Sequence, residues 1–206
     1  MKPSVNGNYS QNLYAKTEWA RYYAEYAQAV EVMLEKPDAT HQPLLALPLL
    51  HSMRHVLQMA FKTHLVLIKN LLGDEFASET PVVFGDTLGD LHEEYTRQLL
   101  LVLSLRPIKV AVRDTCVQNN QCLGSFSSVF GWLDNNAYGF LYPVQQDGQT
   151  KSFQKTETID FSNLVPVYNI TLAALKDTTA LLLDMSNRSR GTMRKPAFGK
   201  TRQAVG

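Results

Sequence analysis

Three histidines and one arginine interrupt an otherwise apolar run, LPLLHSMRHVLQMAFKTH, between Leu47 and His64. His51 and His55 stand four residues apart, so on a helix their side chains share a face. Arg54, three residues from His51 and one from His55, sits beside that pair. His64 lies nine residues past His55, half a turn out of phase, and is expected to face elsewhere. A His pair at this spacing holds a metal in HExxH proteins. Here Ser52, Met53 and Arg54 fill the gap, no Glu is present, and a neighbouring cation opposes a metal ion, so no metal and no cofactor are expected. The other chemistry is metal-free: a neutral imidazole takes a proton from a ribose hydroxyl while the guanidinium stabilises charge building on the phosphate. Against it stands structural pairing, because an arginine on an apolar helix needs a carboxylate. Asp90, Glu93 and Glu94 of GDLHEEY are the expected partners, and His92 of the same segment completes a candidate pocket of His51, Arg54, His55 and His92. Structural pairing is the preferred reading.

The elements that must position these groups follow from periodicity. Leu13, Trp19, Tyr22, Tyr23, Tyr26, Val30, Met33 and Leu34 recur at threes and fours, a helical stripe that Ser10 could cap and Pro37 ends. The tyrosines in it read as a buried face rather than a base-stacking row. A second helix spans about Gln42 to Leu72, with Pro48 expected to kink it or move its start to about Leu49, and Gly73 stopping it. Being apolar almost all round, it belongs at the centre of a bundle. Residues 74–86 read as a loop. Thr87 or Asp90 then caps a third helix to about Leu105, with Leu88, Leu91, Tyr95, Leu99, Leu100, Val102 and Leu103 buried. After Pro107 a weaker helix runs from Ile108 to about Cys122. Val129–Leu133, Tyr138–Tyr142 and Lys151–Ile159 read as short strands around turn signals at Asn135-Asn136 and Asp147-Gly148, with Pro143 at a strand edge or end. Asp160 or Ser162 caps a last helix from about Asn163 to Met185, with Val165, Ile170, Leu172, Leu175, Thr178, Leu181 and Leu182 on its apolar face. The expected fold is mainly α: a four- to five-helix bundle, residues 1–186, with a small β-hairpin insertion at about 129–160 before the last helix.

Composition sets the outer bounds. At 206 residues, 45% hydrophobic and 19% charged, the chain has the makings of one globular domain with a full core. No apolar run reaches eighteen residues, and MKPSVNGNYSQNLYAK holds no apolar signal core, so no membrane association and a cytoplasmic location are expected. Cys116 and Cys122, six apart with no CxxC, read as reduced thiols. Charge is uneven. Residues 187–206 carry Arg188, Arg190, Arg194, Lys195, Lys200 and Arg202 and no acid, leaving fourteen basic against nineteen acidic residues in positions 1–186. A basic, flexible tail of this kind can track a phosphate backbone, although a solvated terminus is the simpler reading. No GxxxxGK[ST], GxGxxG or GxSxG occurs, so phosphate-loop, dinucleotide and hydrolase-elbow chemistry has no support.

Taken in order, LLHSMRHVLQMAFKTHLVLIKNLL, LGDLHEEY, and WLDNNAYGFLYPVQQDG followed by TIDFSNL resemble the second helix, the next helix opening and the late Asp-turn segment of HEPN-like proteins. The resemblance spans roughly residues 11–185. It implies a helical bundle, commonly a homodimer, from prokaryotic toxin–antitoxin or antiphage systems, whose active members are metal-independent RNases. Their catalytic Arg precedes a His by four to six intervening residues, and no Arg here is so followed; Leu141 also stands where one branch has Arg. Arg54-His55 matches the second-helix feature. The resulting expectation is an RNA- or partner-binding protein of a defence system, with possible partners RNA, a cognate protein and a second copy of itself. The alternatives are a metal-independent RNA endonuclease acting at a dimer groove and an antitoxin-like or scaffold protein with no nucleic-acid role.

Overall fold

The computed structural model describes residues 18–35, 43–72, 87–142, 149–151 and 161–192. Among these are six helices: α1 (Glu18–Leu34), α2 (Pro43–Leu72), α3 (Leu88–Leu105), α4 (Val110–Gly124), α5 (Ser127–Asn135) and α6 (Phe161–Thr192). The central helix is α2. From Met53 to Ile68 nearly every side chain on it is buried, polar ones included, and α1, α3, α5 and α6 all pack against it. The fourth helix bridges α3 and α6, and α5 lies on α3. One core cluster draws residues from all six helices, among them Val30, Leu57, Phe61, Tyr95, Cys116, Phe130 and Leu175. Pro48 lies inside α2 and does not move its start, which is Pro43. Only one backbone bond is lost to a proline so near the helix opening.

The expected β-hairpin insertion is not seen among the described residues, which hold no strand. Val129–Leu133 lie within α5, because Phe126, Phe130 and Leu133 recur at a spacing of four and three and pack into the core together. Tyr138–Tyr142 wind in turns, with Phe140 N–H donating to Asn136 O and Tyr142 N–H to Tyr138 O, both at helical reach. Residues 152–160, Pro143, the Asp147-Gly148 turn, the 74–86 loop and the Ser10 cap lie outside the described residues. Ser162 is not a cap but the second residue of α6. Four expected core positions are open: Leu100 and Ile170 are exposed, and in α1 Tyr22 and Tyr26 are about two-fifths exposed, so the aromatic row is only partly a buried face. The last helix runs past Met185 to Thr192, carrying positions 188 and 190 on helical backbone, while Arg194, Lys195, Lys200 and Arg202 lie outside the described residues.

The helix ends are tied by side chains. Arg106 Nη2 donates to Leu71 O at the end of α2, and Arg113 Nη2 to Leu103 O at the end of α3, both at 2.7 Å. A cation on the last carbonyls satisfies orphan acceptors and suits the negative end of the helix dipole.

Candidate functional site

Arg54 meets a carboxylate of its own fold. Its Nε and Nη2 both donate to Asp134 Oδ1, at 3.1 and 2.9 Å. The second oxygen, Oδ2, accepts from the backbone N–H groups of Leu88 at 2.7 Å and Gly89 at 3.2 Å. Those are the first two N–H groups of α3, and the third, on Asp90, donates to Thr87 Oγ1 at 3.0 Å. One carboxylate at the end of α5 therefore holds α2 through Arg54 and the start of α3 through its amides, where the helix dipole also favours negative charge. The pair is largely shielded, with side chains 15% and 12% exposed.

The expected partners do other work. Glu94 takes Arg97 at 2.7 Å through both of its oxygens and also accepts from Gln98, and these bonds hold its carboxyl below the usual range. Thr87, not Asp90, caps α3; Asp90 contributes its charge to the first turn.

His51 and His55 do share a face of α2, with nearly parallel rings, 11° apart in plane and 6.3 Å between centroids. The edge-on ring of Tyr26 in α1 contacts His55 at 4.4 Å. Burial lowers the proton affinity of both; the Arg54 cation adds to the effect on His51, and His51, Lys62 and Arg54 add to it on His55, against a side-chain hydrogen bond with Gln58 that opposes it. Both rings are thus neutral at neutral pH, the state a base or a ligand needs.

His92 packs in a different layer. Its ring stands edge-on to Phe61 at 6.2 Å and to Phe130 at 5.9 Å, and its Nε2 is buried with no hydrogen-bond partner. Leu88 and His92 are one turn apart on α3, as are Phe130 and Asp134 on α5. The aromatic box around His92 is therefore the next layer along from the Arg54–Asp134 tie. The four candidate residues divide into an imidazole pair against α1, an arginine against α5 and a histidine within an aromatic box. His64 is separate, as its phase requires. It is wholly buried, its Nδ1 is 2.8 Å from Thr179 Oγ1 in α6, and burial pushes its pKa down to about 3.

Two residues of this region were not singled out from sequence. Asp134 lies 80 residues from Arg54 in a stretch that reads as strand and turn, and no local signal marks it as a partner. Tyr26 reads as one of several stripe aromatics; its place four residues after Tyr22 gives no hint that it meets a histidine. Among the described residues no three His, Cys, Asp or Glu side chains gather as a metal-holding group, and no helix is long and apolar enough to cross a membrane. Cys116 and Cys122 are free thiols, and burial pushes Cys116 up to about 11, which leaves it protonated and unreactive at neutral pH. Comparison with models of protein families, with curated proteins and with solved structures finds no match to this chain.

Proposed function

We propose that the chain is a non-catalytic, HEPN-like helical-bundle protein of a prokaryotic defence or conflict system, acting as a homodimer that binds RNA. The observation that carries the non-catalytic part is the engagement of Arg54 by Asp134. Stabilising a phosphorane needs a cation aimed at the reacting group and not already offset by a neighbouring charge. Here the carboxylate occupies the guanidinium, so freeing Arg54 for a phosphate would cost the fold the two hydrogen bonds that tie α2 to α5. The family part of the reading is supported by the same tie, which joins the Arg54-His55 segment to WLDNN, two of the stretches on which the resemblance rests. The RNA part is supported by two exposed aromatics on which bases can stack, Tyr26 beside His55 and Tyr22 with Arg21 over its ring at 5.4 Å. Because residues 1–186 are net acidic, phosphate attraction falls to the six basic residues of 187–206.

The ribonuclease reading keeps one observation in its favour, the two neutral, half-exposed imidazoles of His51 and His55. Incubating pure protein with tRNA in EDTA separates the two. No cleavage at high protein concentration is expected; cleavage that disappears in folded Arg54→Ala and His55→Ala variants replaces the binding reading with the enzyme. Filter binding at low salt should show affinity that falls steeply with added salt and weakens when the six tail residues are changed to Gln. No RNA affinity at low salt sinks the RNA reading in favour of a scaffold or antitoxin-like protein, and a monomeric mass in solution removes the homodimer.

A further inference from the structure

The sequence gives two reasons against a metal at His51 and His55: the missing Glu and the adjacent arginine. The second is offset in part: both Arg54 nitrogens that make the tie bond Asp134 on α5, although the Arg54 charge still lowers the proton affinity of both imidazoles, and His55 faces Tyr26 on α1. We propose that His51 and His55 chelate a divalent transition-metal ion of the kind imidazole takes, Zn2+, Ni2+ or Cu2+.

Geometry is the main support. The two rings project from adjacent turns of one helix and lie nearly parallel, 6.3 Å between centroids. That helix is fixed by its buried neighbours Met53, Val56 and Leu57, so the backbone spacing of the pair is set before any ion arrives. A tetrahedral ion with bonds of about 2.0–2.1 Å needs its two donor nitrogens roughly 3.3 Å apart. The partly exposed His51 ring would turn about its side-chain bonds to reach that spacing. His55 is already oriented: Tyr26 packs its edge against the ring, and Gln58, one turn further on, hydrogen-bonds to it. A ligand imidazole characteristically has such a partner on its second nitrogen, which fixes ring and tautomer. With no third protein ligand among the described residues, the remaining coordination positions fall to water, and the site is an open one.

The inference is independent of RNA binding. Metal-stripped full-length protein is titrated with ZnCl2 by calorimetry near neutral pH. One ion per chain is expected, with His51→Ala and His55→Ala each weakening uptake by roughly tenfold or more. In wild-type protein, a trace of Cu2+ should broaden the imidazole proton signals of His51 and His55 before that of the buried His64. Absence of both heat and broadening overturns the proposal. So does uptake of equal affinity in both alanine variants, or copper broadening that leaves His51 and His55 sharp.

Discussion

At the scale of single residues, Asp134 holds more of this molecule together than any of the groups first suspected of chemistry. Its carboxylate takes Arg54 on one oxygen and two α3 amides on the other. Asp134→Ala takes both Oδ1 bonds from a shielded guanidinium and Oδ2 from two α3 amides, and breaking one side of a buried pair costs about 3–5 kcal/mol. Partial exposure of this pair moves the expected loss to about 3 kcal/mol, which in a chain of this size lowers Tm by roughly 6–12 °C. Asp134→Asn keeps a carbonyl oxygen for α3 and should lose less. The double change Arg54→Met with Asp134→Leu should cost clearly less than the two single changes added together, because no charge is left stranded. Thermal melts of the five variants check this; a loss below about 1 kcal/mol in Asp134→Ala would show that the tie does not support the fold. That Arg54 required a carboxylate was legible in the sequence, since an arginine among Leu, Met and Val has few alternatives. Which carboxylate was not legible, because the partner is distant in sequence and its own surroundings, WLDNN, carry turn chemistry.

At the scale of elements, long periodic segments were readable and short ones were not. The boundaries of α2 and α3 follow from sequence to within a residue or two, because a 3.6-residue period sustained over several turns has no strand equivalent. In α5, nine residues rich in aromatic and β-branched types gave a strand reading. Buried Phe130 and Leu133, with the partly buried Phe126 packed beside them, decide for helix, through tertiary packing on α3 and Phe61 of α2 rather than propensity. The start of α3 offers a separable test at this scale. Thr87 Oγ1 caps the Asp90 amide while Asp134 serves the two before it. Thr87→Ala should therefore cost about 1 kcal/mol and Thr87→Ser almost nothing, read as shifts in the urea midpoint. Combined with Asp134→Ala, the loss should depart from additivity, since both changes strip the same helix end. Strict additivity would mean that the two caps act on independent structures.

At the scale of the whole molecule, the central position of α2 makes its buried histidine a determinant of how the entire fold responds to acid. His64 lies in a polar seam with α6, where Thr179 meets its Nδ1 and Thr178 accepts from Asn119 of α4. Folding holds its pKa at about 3, against an ordinary value of 6.5. Between those two values the unfolded chain carries a proton on this residue and the folded chain does not, so stability rises with pH across the window. The contribution is complete above pH 6.5 and is lost progressively as pH falls toward 3. For one such group the loss between pH 7.5 and pH 5 is about 2 kcal/mol. His51, His55 and His92, also lowered by burial, act in the same direction. Glu94, whose carboxyl is held down by Arg97, acts only below its ordinary value of 4.5, so measurements at pH 5 and above isolate the histidines from it. His64→Gln retains a group able to bond Thr179 but does not titrate. In urea unfolding at pH 7.5 and pH 5, this variant should lose about 2 kcal/mol less on acidification than the wild type, whatever its stability at pH 7.5. An equal acid loss in both proteins would mean that His64 is protonated inside the fold, and the α2–α6 seam would then have to hold a charge on a wholly buried ring whose Nδ1 meets a threonine hydroxyl.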